Sequence, residues 1–235
     1  MAEFTVAARF CGPPGCANGG YFCGLVAAAA GRSVQVRLER PVPLERALRL
    51  GEVTDGQLGV FDGTERVARV TAAALQLAAP PAPDYLQALE ASRRFIGFGR
   101  HAFPNCFVCG TDRARGDGLR VFAGQWGESV AAPWVPDASL DQGDGKVAAE
   151  FMWAALDCPG YFAARSDGVP MLLGEFNAHV DRRVHVSESC VVVGWRLGVS
   201  GRKYEAGTAL FDEDGELCGR ARALWIEPRN SPGAA

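Results

Sequence analysis

Two hydrophobic periods run along this chain, and the changes between them mark its elements. Phe4, Val6, Ala8 and Phe10 alternate with Glu3, Thr5 and Arg9, the pattern of a half-buried strand. Val34, Val36 and Leu38 repeat it in SVQVRLER, and strand-like pieces follow at ALRLGEV and on both sides of the Asp62-Gly63 turn, in QLGVF and ERVARVTA. Between the first two strands lies ANGGYFCGLVAAAAG, read as a helix with a glycine pair at its front and alanines at its back. The later chain repeats this order with longer pieces. Strands are expected at GLRVFAG and SVAAPWV, a helix through VAAEFMWAALDCPGYFAAR, and strands again in MLLGEFNAHVDRRV, SCVVVGWRLGV, KYEAGTALF and ELCGRARALWIE. Val191, Val193, Trp195, Leu197 and Val199 keep a strict period of two, which predicts an antiparallel sheet with a buried side.

The sharpest break is Ala78-Ala79-Pro80-Pro81-Ala82-Pro83, followed by Asp84 as a helix cap for DYLQALEASRR, where Tyr85, Leu86 and Leu89 share one face. The expected division is an N-terminal half at 1–77, a linker with a short helix at 78–103, a C-terminal half at 104–229 and a flexible tail at 230–235. Two echoes argue for duplication. Leu38-Glu39-Arg40-Pro41-Val42 matches Val180-Asp181-Arg182-Arg183-Val184, and Phe61-Asp62-Gly63-Thr64-Glu65 with Arg69 matches Phe211-Asp212, Gly215-Glu216 and Arg220. One long helix and an antiparallel meander, occurring twice, predict an α+β protein in which two sheets each wrap a central helix and pair edge to edge.

A formal charge of −3, with 48% hydrophobic and 22% charged residues, leaves no basic surplus for nucleic acid. No apolar run reaches the ~20 residues of a membrane span, and MAEFTVAARF has no signal-like apolar region, so the expected compartment is the cytoplasm. There the eight cysteines stay reduced, most as small core residues. Cys106-x-x-Cys109 reads as half a zinc knuckle or a redox pair. Without a second CxxC or a His pair at ligand spacing no metal is expected, although Cys11 and Cys16 remain possible partners. No dinucleotide, phosphate-loop, serine-hydrolase or zincin motif occurs, so no cofactor is expected.

Two features carry candidate chemistry. Glycine in a helix interior costs roughly 0.5–1 kcal/mol against alanine, so Gly19 and Gly20 serve something other than helix stability. A helix start offers free amides and the positive end of the dipole, fit to hold an oxygen as negative charge develops on it; equally, Asn18 simply caps and the glycines pack against a strand. Asp157 follows Phe151-Met152-Trp153-Ala154-Ala155-Leu156, where an unpaired carboxylate is costly and its pKa rises. It either works as an acid or base, or caps the turn where Cys158-Pro159-Gly160 ends the helix.

Asn18-Gly19-Gly20-Tyr21, the alanine-rich helix after it and Arg40-Pro41-Val42-Pro43 resemble the Asn/His-Gly-Gly-Tyr segment of thioesterase-like double-hotdog proteins. Cys106-Phe107-Val108-Cys109-Gly110 with Gly118-Leu119 resembles the opening of many single-hotdog thioesterases. The resemblance implies an acyl-CoA thioesterase-like hydrolase acting on an acyl-CoA or acyl carrier protein thioester, with Asp157 as nucleophile or general base and the Gly19 and Gly20 amides on the carbonyl oxygen. Asn18 and Tyr21 would line the substrate. In the family pattern the helix acid falls eight residues after the first glycine, which here is Ala27 counting from Gly19; the same count back from Asp157 gives Ala149. Each half thus has one part of a site, and a single composite site between them is expected. The Thr and Gln of related enzymes are missing from 171–177 and from Leu224-Trp225, with Asn177 and His179 as substitutes on one strand face. A catalytically silent binder of an acyl thioester or fatty acyl ligand is the alternative, and a homodimer of double-hotdog protomers is compatible with either. Arg93, Arg94, Arg100 and His101 either meet coenzyme A phosphates or form a solvated linker face.

Overall fold

In the computed structural model, which describes residues 2–54, 56–164 and 169–229, the alternating segments become eleven strands among the described residues. The first five are β1 (Ala2–Thr5), β2 (Val34–Leu38), β3 (Ala47–Thr54), β4 (Gln57–Asp62) and β5 (Glu65–Ala72). The others are β6 (Gly124–Trp126), β7 (Ser129–Trp134), β8 (Leu172–Val180), β9 (Cys190–Ser200), β10 (Lys203–Phe211) and β11 (Leu217–Ile226). Among the described residues four α-helices accompany them: α1 (Gly19–Ala30), α2 (Tyr85–Ser92), α3 (Ala149–Ala155) and α4 (Cys158–Ala164). The expected tail at 230–235 lies outside the described residues.

Neighbouring strands pair antiparallel in the order β1-β3-β4-β5-β2-β8-β11-β10-β9-β7-β6. This order mirrors itself about the β2–β8 junction, where Gln35, Val36 and Arg37 pair with Asn177, Phe176 and Glu175. The two expected sheets therefore meet edge to edge as one continuous sheet, and each covers an edge of the other. Across the junction, Gln35 Nε2 also donates to the Glu175 carboxylate at 2.9 Å and Arg37 reaches the same carboxylate at 3.2 Å.

Backbone hydrogen bonds repeat with the strands. The amides of Glu39 and Arg40 both donate to the Val67 carbonyl, and those of Asp181 and Arg182 both donate to Cys218. Ala17 and Asn18 donate to Val42 and Phe10; Val147 and Ala148 donate to Val184 and Leu140. Asn18 thus answers Ala148, and the same offset sets Ala27 against Asp157. The longer return of the second half, 147–184 against 17–42, makes room for α4.

The single helix expected through VAAEFMWAALDCPGYFAAR is two. Pro159 has no N–H to give the preceding turn, so α3 stops at Leu156 and α4 restarts at Cys158, with Asp157 at the break. The segment 118–123, expected as a strand, is irregular: Leu119 and Val121 still point inward, but their amides donate to the Phe107 and Val108 carbonyls. Helix α2 turns Ala88, Ala91 and Ser92 to the sheet, leaving Leu86 73% and Leu89 39% exposed. Small residues let it sit close to Ala131, Val191, Val193, Ala209 and Phe211. It shields only the first part of β9, so Val199 remains exposed on the face expected to be buried.

The main core fills the space between the sheet and α1, α3 and α4. Helix α1 packs on α3 through Gly20 and Gly24, one turn apart. A Cβ at Gly20 would stand 2.8 Å from the Trp153 carbonyl, and one at Gly24 2.6 Å from the Glu150 Cα. The helical cost of the glycines is accepted for this close crossing. We expect Gly24→Val to lower the stability by about 1–3 kcal/mol through overpacking, seen as a drop in Tm of several degrees. An unchanged Tm would mean the helices are not in contact there.

Candidate active site

The α1–α3 crossing places the start of α1 against the end of α3. Asn18 caps α1, its Oδ1 accepting from the Tyr21 amide at 2.9 Å. Its Nδ2 donates to Asp157 Oδ2 at 2.9 Å, and the Gly20 amide donates to the same oxygen at 3.0 Å. Asp157 is 2% exposed, and its Oδ1 has no hydrogen-bond partner. Burial pushes this carboxyl up to about 7; the Gly20 amide pulls it down, charge on Cys106 pushes it up, and Asn18 pulls it down. Thr208 Oγ1 donates to the Leu156 carbonyl at 2.7 Å, which anchors the break that presents Asp157.

The start of α1 and Asp157 thus lie together, more tightly than a carbonyl clamped between glycine amides and acid would require. The carboxylate itself occupies the start of α1, and the Gly20 amide is spent on it. Of the first three helix amides, only that of Gly19 is taken by neither Asn18 nor Asp157. Gly19, Asn18 and Asp157 line a narrow cavity of about 60 Å³, together with Cys106, Cys109 and Trp225. Trp225 presents a buried Nε1–H without a partner. On the far side of Gly19, an apolar groove of about 340 Å³ runs past Leu38, Pro41, Val42 and Ile226. Leu173 lines both spaces and would lie 2.6 Å from a Cβ at Gly19.

The other residues named from sequence go elsewhere. The Tyr21 ring stacks between Phe10 at 4.2 Å and Phe151 at 5.5 Å, and it does not line the cavity. Asn177 and His179 lie on the outer face of β8, because the intervening Phe176 and Ala178 take the core face. Asn177 borders a separate outer pocket with Gln35 and Arg222, and His179 pairs with Asp181 at 3.6 Å. Arg93 and Arg94 pair with Glu90, whereas Arg100 and His101 line the cavity.

The cavity also holds residues that sequence reasoning passed over. Cys158 joins Cys106 and Cys109, all three buried, with sulfur atoms within 4.8 Å of one another. Cys11 is instead held by Arg113 and the Asn105 carbonyl, and Cys16 by the Pro14 carbonyl. The only available signal was that Cys158 directly follows the buried acid.

No family model matches the chain, and no curated protein matches it in sequence. Solved structures do match its fold. A tesB protein of Mycobacterium avium subspecies paratuberculosis aligns over 96% of this chain and 92% of its own, at 15% identity and a TM-score of 0.63. A protein of Novosphingobium aromaticivorans designated a thioesterase aligns over 96% and 94%, at 15% identity and a TM-score of 0.61. The mirrored strand order with near-complete overlap decides the fold. The chain is a double hotdog. A further structure, designated thioesterase II of Thermobifida fusca, aligns over 97% of this double hotdog and 92% of its own chain, at 15% identity and a TM-score of 0.58. A thioesterase superfamily protein aligns over 46% of this chain and 54% of its own, at a TM-score of 0.43. None of the helices in the double hotdog is long and apolar enough to cross a membrane, among the described residues.

The raised carboxyl carries a stability cost. Because the folded state favours the protonated form, the cost is absent below pH 4, grows between pH 4 and 7 and is constant above. Asp157→Asn keeps an oxygen for both donors and removes the charge. We expect this variant to be more stable than wild type at pH 8 by up to about 4 kcal/mol, and nearly equal to it at pH 4. Thermal unfolding with EDTA present, which keeps the neighbouring thiols free of metal, measures this; a lower Tm than wild type at pH 8 would contradict it.

Proposed function

We propose that this double hotdog hydrolyses an acyl thioester at one composite site between its halves. The observation that carries the proposal is the Asp157 carboxylate, buried at the start of α1 with one oxygen fixed by Asn18 and Gly20 and the other unpartnered. Such fixing leaves Oδ1 to take a proton from water as general base, or to attack the carbonyl carbon directly. The Gly19 amide lies at the positive end of α1 and is the donor for the carbonyl oxygen as charge develops there. The indole N–H of Trp225, in the place where relatives are expected to have Gln, is a second donor on the same cavity. In the water route, collapse of the tetrahedral intermediate breaks the C–S bond, and the proton held by Asp157 passes to the departing sulfur.

Placement of the substrate follows from the two spaces that meet at Gly19. The acyl chain lies in the apolar groove, and the carbonyl reaches past Leu173 to Gly19 and Asp157. Arg100, exposed at the cavity rim, is the cation within reach of a phosphorylated carrier such as coenzyme A. Ala27 and Ala149, at the opposite end of the crossing, offer neither acid nor glycine amide, so the second composite is inactive.

Hydrolysis of an acyl-CoA panel tests the assignment. Asp157→Asn is expected to lose at least about 100-fold in kcat, while Asn177→Ala and His179→Ala stay within about threefold of wild type. Turnover that survives in Asp157→Asn would remove the acid from the mechanism. Absence of wild-type turnover together with tight acyl-CoA binding would make the protein a silent binder. Leu173→Ala is expected to shift preference toward longer or bulkier acyl groups, read as a changed ratio of kcat/KM between chain lengths; an unchanged ratio would take the acyl chain out of the groove.

A further inference from the structure

Thioester hydrolysis by Asp157 makes no use of the three thiols beside it. Their geometry is more specific than core packing requires. Cys106 and Cys158 sulfurs are 3.7 Å apart. A tetrahedral zinc–thiolate centre with Zn–S of about 2.3 Å sets its sulfurs roughly 3.8 Å apart. The backbone around the pair is arranged to match. The Asn18 side-chain amide Nδ2 donates to the Cys106 sulfur at 3.9 Å, and the Gly110 amide donates to the Cys106 carbonyl at 2.9 Å. A Cβ at Gly110 would stand 2.4 Å from that carbonyl, so the tight loop requires glycine. Amide hydrogen bonds of this kind orient and hold a metal-bound thiolate.

His101 supports the loop and is not itself a ligand. Its Nδ1 accepts from the Phe103 amide at 2.9 Å and its Nε2 donates to the Cys109 carbonyl at 3.0 Å, which occupies both ring nitrogens. A disulfide accounts for less of the arrangement, because it would use two of the three converging sulfurs and leave Cys109 unexplained.

We propose that Cys106, Cys109 and Cys158 bind one Zn²⁺ ion as thiolates, with the fourth coordination position open to the cavity. Among the described residues no fourth protein ligand joins the cluster, and all three cysteines line that cavity. A water molecule from the cavity completes the tetrahedron, as in open three-ligand zinc sites. Each coordinating thiol gives its proton to solvent as it binds. The ion ties the 106–110 loop to the start of α4, one residue past Asp157.

The test uses full-length protein, reduced and stripped of metal under anaerobic conditions, then reconstituted with Zn²⁺ or Co²⁺ and passed through gel filtration. One metal per chain is expected to remain. Bound Co²⁺ should show intense visible bands of a tetrahedral site with sulfur-to-cobalt charge transfer. Cys106→Ser and Cys158→Ser should each weaken Co²⁺ binding by more than about 100-fold, beyond the effect of losing an outer-shell partner, whereas Cys23→Ser and Cys190→Ser should keep it. If the serine variants fail to fold, an organomercurial titrated into zinc-loaded wild type should release one Zn²⁺ per chain. Wild type that retains no metal, an octahedral cobalt spectrum, cobalt retained by both Cys106→Ser and Cys158→Ser, or a Cys106–Cys158 disulfide in fresh metal-free protein would overturn the proposal. No readout involves an acyl substrate, so the result stands apart from that of the hydrolysis test.

Discussion

Among the hydrogen bonds that cross between the halves of this protein, those from Asn18 and Gly20 to Asp157 Oδ2 are the ones the surrounding architecture is arranged to permit. A buried carboxylate needs donors, and a helix start has amides to give. Meeting that need brings α1 against α3 so closely that Gly20 and Gly24 have no room for side chains. The same approach leaves the other carboxylate oxygen, Oδ1, without a partner. The burial that raises the Asp157 pKa also penalises its charged form.

The near-symmetry of the fold makes the asymmetry of the site visible. Mirrored strands and matched backbone hydrogen bonds set Asn18 against Ala148 and Ala27 against Asp157. A site with acid and glycine at each end of the crossing has a counterpart here with acid at one end only. The second half differs in its longer return, which carries α4, Cys158 and the wall of the cavity.

Much of this was legible in the residues. Alternation marked nearly all of the strands, and the echoes of Leu38–Val42 at 180–184 and of the Asp62-Gly63 hairpin at 211–216 gave the repeat. Counting from Gly19 to Ala27 set Ala27 against Asp157, the same offset that the matched backbone hydrogen bonds show. Other features depend on distance between segments and leave no local trace. Tyr85, Leu86 and Leu89 were expected to share one face of α2, and that spacing does not tell that the sheet takes the face with Ala88 and Ala91 while Leu86 and Leu89 stay exposed. Asn177 and His179 share a face as expected, but neighbouring Phe176 and Ala178 claim the core, so that face points outward. Cys158 is distant from Cys106 in sequence, and only the docking of α4 brings their sulfurs together.

The proposed acyl-carbonyl site is the start of α1 together with Asp157. A crystal structure with a non-hydrolysable acyl-CoA analogue tests it most directly. The analogue's carbonyl oxygen is expected at the Gly19 amide, with its carbonyl carbon facing Asp157 Oδ1 and the acyl chain past Leu173. A carbonyl bound at the Ala27–Ala149 end, or on the outer face beside Asn177, would contradict it.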